Sequence, residues 1–430
     1  MTVLASPPMA SVELMEEILL DDMIRTRSAR SVYQPIVELD THRVIAWEAL
    51  ARGPAASALE FPDRLFGAAA RLGRVAELDY CCRFAAIDGA MSAGLQRSQE
   101  LFVNVEPEAA GVRVPAHLTA LEDRARLRGT VEITERALAG DPAGLMALVA
   151  MYRARGWGIA LDDVGVDSRS IGLMPLLRPD VIKLDMVFVQ EPITRERARV
   201  VHAVVAEAER SGAVVLAEGI ETAEQATIAQ ALGATLGQGW YFGRPGELTP
   251  GPDTEGTGRT PVLLDSALDT PFDHLVGQRP VRIGTKAQLL QMSLALEEQA
   301  LGQGTSAVLL ATFQEAKYFP LTTRTRYARL AEQAAFVGAL AHSLGNEPAK
   351  GVRGLALEAD DALRGEWDVV VVGPHFAGAF VARDMGDTHS DRERRFEYAI
   401  TYDRDLVIAA AVRLMQRIAP HPPLVAVASS

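Results

Sequence analysis

Glu48, Asn104, Glu132, the adjacent pair Asp162 and Asp163, Lys183, Glu218 and Gln238 each lie inside or at the end of a short apolar run. Charges in such surroundings are costly unless they are paired or bind a metal. The run Gly158 to Leu161 ends abruptly in Asp162 and Asp163, and Val181 to Leu184 carries Lys183 among branched apolar residues. Adjacent strand residues point to opposite faces, so two acids in a row seldom serve one salt bridge. Where the chain turns at a strand's end, both can reach one cation. A helix-capping Asp after the strand is the plainer alternative, common for one acid and less so for two. Carboxylates and an amide oxygen are hard ligands suited to Mg²⁺ or Mn²⁺. The set exceeds the needs of a single ion that keeps its waters, so two ions are expected. Metals about 4 Å apart can activate a bridging water and stabilise the leaving oxygen of a phosphodiester. Lys183 would add positive charge where the transition state builds negative charge, or help orient the water. Zn²⁺ suits the set less well, because no His or Cys cluster has ligand spacing.

The elements that must position these residues alternate. Strands are expected at Val32 to Leu39, Val44 to Leu50, Leu101 to Val105, Thr130 to Glu135, around Leu161, at Val181 to Leu184, Ala213 to Glu218 and near Gln238. Pro35 suggests an edge or an irregular start for the first. Helices are expected at Val12 to Ile24, Pro62 to Leu72, Arg74 to Met91, Pro142 to Arg155, Thr194 to Ser211 and Ala223 to Leu232. This rhythm fits an α/β barrel or a doubly wound sheet. A barrel gathers the ends of its strands at one mouth, whereas an open sheet's ligand site usually draws on a Gly-rich first turn, absent here. The expectation is a TIM-like (β/α) barrel followed by a smaller α/β domain.

The net charge of −13 argues against a nucleic-acid polymer as ligand, since phosphate binding needs an excess of Lys and Arg. An anionic small ligand fits if metal ions and local cations offset the field. The only cysteines, Cys81 and Cys82, are adjacent, which fits a reducing compartment. No apolar run is long enough to span a bilayer and Met1 to Ala10 has no basic start, so a cytoplasmic protein without membrane insertion is expected.

Glu48-Ala49-Leu50 with Arg52, following Tyr33-Gln34-Pro35-Ile36-Val37, resembles the signature of the EAL family of cyclic di-GMP phosphodiesterases. Phe102 to Val105, Glu132 to Glu135, Asp162-Asp163, Ile182 to Asp185, Ala217 to Glu221 and Gln238-Gly239 match its later motifs in order. The resemblance covers about Ser31 to Pro245. It implies hydrolysis of cyclic di-GMP to linear pGpG with two Mg²⁺ or Mn²⁺ ions, by a barrel that forms homodimers. It implies metal ligation by Glu48, Asn104, Glu132, Asp162, Asp163 and Glu218. Catalytic positions fall on Lys183, beside the nucleophilic water, with Glu48, Asp163 and Glu221. Gln34, Leu50, Arg52 and Gln238 fall on substrate-binding positions, and Glu135 on the anchor of the loop after the paired acids. In active members that loop usually reads Phe-Gly-(Ala/Thr)-Gly, whereas here Val164 replaces the Phe and Asp167 the second Gly. A position using Gly for positive φ would be strained by most residues, Asp less than others.

Gly246 to Pro261 is rich in Gly, Pro and Thr and reads as a linker. Beyond it, strands are expected at Ala307 to Ala311, Trp367 to Val372 and Tyr398 to Tyr402, with helices at Thr323 to Ser343 and Leu406 to Ile418. Phe313 to Phe319, Glu366 to Phe376 and Thr401 to Arg404 resemble the DICT sensory domain, which implies an input of unknown chemistry. The expected division is a helical lead-in at 1–30, a barrel at 31–245, a linker at 246–262, a sensory domain at 263–420 and a loose tail at 421–430. Two functions follow: a phosphodiesterase regulated by its C-terminal unit, or a non-catalytic cyclic di-GMP receptor or interaction module with a degenerate loop. No Gly-Gly-Asp-Glu-Phe segment is present, so synthesis of the nucleotide is not expected.

Overall fold

The computed structural model describes residues 9–95, 98–109, 112–125, 127–167, 169–250 and 269–418. The first part closes into a barrel of strands β1 (Arg30–Glu38), β2 (Val44–Arg52), β3 (Glu100–Asn104), β4 (Arg128–Thr134), β5 (Gly158–Val164), β6 (Val181–Leu184), β7 (Val214–Ala217) and β8 (Leu236–Gln238). Strands β4 and β6 are buried almost throughout, as strands covered on both faces must be. From β2 to β8 every neighbouring pair is parallel, with helices in the connections. The expected barrel is the observed one.

Strand β1 departs from the simple scheme, running antiparallel to both β2 and β8. The reversal brings the start of β1 to the mouth, with Gln34 opposite Glu48. Pro35 therefore does not mark an edge. It lies outside the pairing with β8, which spans Ile36 to Glu38, so its missing N–H interrupts no ladder there.

The second domain is a seven-stranded sheet in the order β12-β11-β10-β13-β14-β15-β9. Its strands are β9 (Arg282–Thr285), β10 (Val308–Glu315), β11 (Phe336–His342), β12 (Arg353–Ala356), β13 (Glu366–Val372), β14 (Ala377–Asp384) and β15 (Arg395–Thr401). Alternate residues serve its two faces. Leu309, Ala311, Val369 and Val371 pack with Tyr327 and Leu296, while Leu310, Val370 and Val372 pack with Val407 and Leu414. The continuous helix expected at Thr323 to Ser343 is corrected: the helix is Leu321–Gln333, and Phe336 onward is β11. Ala-rich sequence suits a helix, but this run enters the sheet between β10 and β12 and is buried on both faces. Strands β9, β12 and β14 and the helix Lys286–Gln303 are additions to the expected elements. Most of the expected linker, the start of the second unit before Asp269 and the tail at 421–430 lie outside the described residues.

The two halves share a packed boundary. Helix Arg404–Ile418 of the second domain lies against barrel helices Pro142–Ala154 and Ser170–Leu177, and their apolar side chains join one buried cluster. Among the described residues, no helix is long and apolar enough to cross a membrane.

Candidate active site

A layer of Ile36, Ala46, Phe102, Ala160, Val181, Leu216 and Leu236 fills the barrel. Two residues further along their strands stand Glu48, Asn104, Asp162, Lys183, Glu218 and Gln238. A strand returns to the same face every second residue, so each is the next inward position above the apolar layer. Glu132 stands likewise two residues after the buried Thr130, and on the reversed β1 the counterpart is Gln34, two residues before Ile36.

Lys183 is fully buried, and its Nζ lies 2.6 Å from Glu132, 2.8 Å from Asp162, 2.9 Å from Glu218 and 3.9 Å from Glu48. The Asn104 amide nitrogen donates to Glu132 at 3.1 Å and to Glu48 at 3.3 Å. Gln238 donates to Glu48 at 2.5 Å and to Gln34 at 3.2 Å, and Gln34 donates to the Gly243 carbonyl at 3.1 Å. Carboxylate oxygens of Asp162, Asp163 and Glu218 come within 4.8 Å of one another.

The paired acids share this site because β5 is irregular. Its pairing with β6 shifts register between Leu161 and Val164, and Asp163 takes φ 56°. An extra residue in one strand bends it and re-aims its side chains. Glu135 then accepts the backbone N–H groups of Gly165 at 2.5 Å, Val166 at 3.2 Å and Asp167. The left-handed residues here are Asp163 and Gly165, at φ 112°, and not Asp167, which corrects the expectation of strain at that position. Val164 is fully buried in the core. Asp167 instead accepts the Arg169 N–H at 2.9 Å, at the entrance to helix Ser170–Leu177.

One lysine cannot neutralise the surrounding acids. Burial drives the Glu132 carboxyl well above the usual range, with the charge of Glu48 adding to it. Burial also raises Glu218, against the pull of Lys183, to about 8. Glu48 is buried too, but Lys183 and its hydrogen-bond donors outweigh that and hold it low. The carboxylates in turn hold the Lys183 ammonium charged despite its burial. Such a surplus of hard oxygen ligands, partly open at Asp162 and Asp163, suits a divalent cation.

Arg52 and Glu221 stand apart from this network. Arg52 donates to the Ala51 carbonyl and lies over the Phe61 ring, while Glu221 is exposed, its backbone N–H bound by Gln225. Leu50 and Asn104 border a cavity of about 330 Å³ that is also lined by Asp79, Arg83 and Glu106. Asp79 pairs with Arg83 at 2.8 Å and accepts the Glu106 N–H at 3.0 Å. Burial and the charge of Asp79 push Glu106 up to about 7. Sequence reasoning passed over these residues. The available signal was Glu106 itself, an acid two residues beyond Asn104.

Several known proteins are similar to this chain. The probable cyclic di-GMP phosphodiesterase PdeB of Escherichia coli is 28% identical over 232 residues, covering 52% of this chain and 44% of the relative. The cyclic di-GMP phosphodiesterase RocR of Pseudomonas aeruginosa is 34% identical over 158 residues, 36% of this chain and 40% of that one. This chain thus spans less than half the length of either relative. Among solved structures, Klebsiella pneumoniae BlrP1 in a manganese and cyclic di-GMP complex is 29% identical, covering 51% of this chain and 56% of the other, with a TM-score of 0.45. Residues 267–385 match the sensory domain in diguanylate cyclases and two-component systems, the DICT domain. Residues 18–245, more than half of the chain, match the EAL domain, and the chain belongs to that family.

Proposed function

We propose that this chain hydrolyses cyclic di-GMP to linear pGpG with two divalent cations, Mg²⁺ or Mn²⁺. The observation that carries the reading is the convergence of Glu48, Glu132, Asp162 and Glu218 on Lys183, with Asp163 beside them. Asp162, Asp163 and Glu218 would hold one ion. Glu48, Glu132 and Asn104 would serve the other, the Asn104 amide turning its oxygen inward. When bound, the ions supply an activated water and charge neutralisation at the scissile phosphate.

The side chains have separable roles in this reading. Lys183 is fixed by its carboxylate partners and keeps a positive charge beside the phosphate, where negative charge develops during displacement. Gln238 and Gln34 orient Glu48. Leu50, Arg52 and the neighbouring cavity receive the rest of the dinucleotide. Exposed Glu221 would act only in support, through the turn after β7. The anchored loop supports turnover over the receptor reading, since Glu135 satisfies its backbone and Asp167 sits without strain.

The barrel at 31–245 forms the catalytic unit and the domain at 263–420 a regulatory one, in a cytoplasmic homodimer. The buried free thiols of Cys81 and Cys82 accord with a reducing compartment. The test is incubation of the purified chain with cyclic di-GMP and Mg²⁺ or Mn²⁺, followed by separation of the products. pGpG formation supports the enzyme. Binding without pGpG at stoichiometric protein, with either ion, would establish the receptor instead.

A further inference from the structure

At the end of the barrel opposite the mouth, where β4 and β5 begin, lies a second cavity of about 230 Å³, room for roughly seven waters. It shares no lining residue with the cavity beside Leu50. Ile87, Leu127 and the half-buried Trp157 give it apolar walls, and Glu122, Asp123 and Arg155 its charges. The indole is seated on bare backbone, since a side-chain carbon on Gly129 would overlap its ring.

Glu122 is the group out of balance. Its side chain is only 5% exposed, and its Oε2 pairs with Arg155 at 2.8 Å. Among the described residues its Oε1 accepts no hydrogen bond. A carboxylate buried with half of its acceptor capacity unused is costly unless a donor enters. Burial lifts its carboxyl above the usual range, against the pull of Arg155 and then of Arg83. Exposed Asp123 adds a second negative charge to the lining. Arg155 is already engaged, so an anion would enter against two acids. A positively charged donor would meet both of them, with an aromatic ring at hand. A bare metal ion would leave the apolar walls unused.

We propose that this cavity binds a small organic cation, an ammonium or guanidinium group on a short apolar stem. The head donates to Glu122 and Asp123, and the stem lies among Trp157, Leu127 and Ile87. A guanidinium suits the head best: it is planar and weakly hydrated, and it can stack on a ring while its N–H groups reach a carboxylate. The site goes beyond the phosphodiesterase reading and does not rest on it. Lying at the far end of the barrel, it can be filled while the mouth is occupied.

The probes are butylguanidinium and its neutral isostere N-butylurea, titrated by calorimetry into the full chain. Butylguanidinium should bind with a Kd of about 1 mM or tighter. N-butylurea should bind about 10-fold more weakly, or not at all. The acids of the mouth also attract cations, so variants fix the location, with melting temperatures to show that each is folded. Glu122→Gln keeps the shape but removes the charge, and should weaken butylguanidinium about 10-fold or more. Ala125→Leu fills the cavity with every charge in place and should abolish binding. Asp162→Asn, at the mouth, should leave the Kd within about 2-fold of wild type. Equal affinity for the two probes would overturn the proposal. So would wild-type affinity in both Glu122→Gln and Ala125→Leu, or no binding of butylguanidinium up to about 10 mM.

Discussion

In the barrel mouth Lys183 faces Glu48, Glu132, Asp162 and Glu218, whereas in the second domain Arg383 pairs with exposed Asp273 and with buried Glu366, whose other donors are neutral. Glu366 accepts from Arg383 at 2.7 Å, from the Phe272 N–H at 3.2 Å and from the Thr270 hydroxyl. Its side chain has no exposure, while those of Asp162 and Glu218 keep 13% and 20%. The Glu366 carboxylate is closed off and matched donor for acceptor. The mouth is open and holds more negative charge than its lysine can balance. Burial of acids alone therefore does not identify a site; excess charge facing an opening does.

Lys183→Met should break the mouth most severely. Loss of the fixed charge beside the phosphate is expected to lower kcat by about 10²- to 10³-fold. The variant's melting temperature should also fall without added cation, because the acids lose their partner, and recover on adding Mn²⁺. Steady-state kinetics and melts with and without Mn²⁺ decide this. A melt insensitive to Mn²⁺ would mean that the acids do not form a cation site.

Asp162→Asn sharpens the same contrast in the opposite sense. Hydrolysis should fall about 10- to 100-fold, but stability without metal should hold or rise, since one like charge leaves a crowded cluster. A clear loss of stability would show that Asp162 serves mainly as the partner of Lys183.

The gathering of these residues was legible because a simple spacing repeats through the strands. In Ala46–Glu48, Phe102–Asn104, Ala160–Asp162, Val181–Lys183 and Leu216–Glu218, the polar residue follows by two a residue of the apolar filling. That spacing survives any detail of the connections. The reversal of β1 and the irregularity in β5 did not show, since both depend on partner strands distant in sequence. The run Phe336 to His342 was misread because Ala and Leu suit a helix, and only the sheet around it makes it a strand. The packed boundary between the domains left no trace at all: Gly172 in an apolar helix says nothing about the Ser306 carbonyl that approaches it.

The matched cluster should respond through stability. Glu366→Gln keeps the shape but weakens the Arg383 contact and turns a donor toward others, at a cost of about 1–3 kcal/mol. Denaturant titration would measure the loss, and calorimetry should find Mn²⁺ affinity at the barrel within about 2-fold of wild type. A large fall in Mn²⁺ binding would mean that the two clusters are not independent.

The smallest expected effect concerns Asp368, the one acid in the closed region with an unmatched oxygen. Its Oδ2 accepts the Thr312 hydroxyl at 3.1 Å, while its Oδ1 has no partner. Burial first, and then the charge of Glu366, push its carboxyl well above the ordinary value. The folded chain thus holds a proton there that the unfolded chain releases near pH 3.8. Its contribution to stability is fully present below that pH and is lost as pH rises toward the folded-state value. Asn at this position cannot ionise and carries no such slope. Melting temperatures of wild type and Asp368→Asn between about pH 4 and 8 should diverge as pH rises, the wild type losing about 1 kcal/mol or more relative to the variant. The subtraction removes every group the two chains share, including the titrating acids of the barrel mouth. A difference that stays flat across that range would mean that Asp368 remains ionised in the folded chain, and that the closed cluster tolerates excess charge as the open one does.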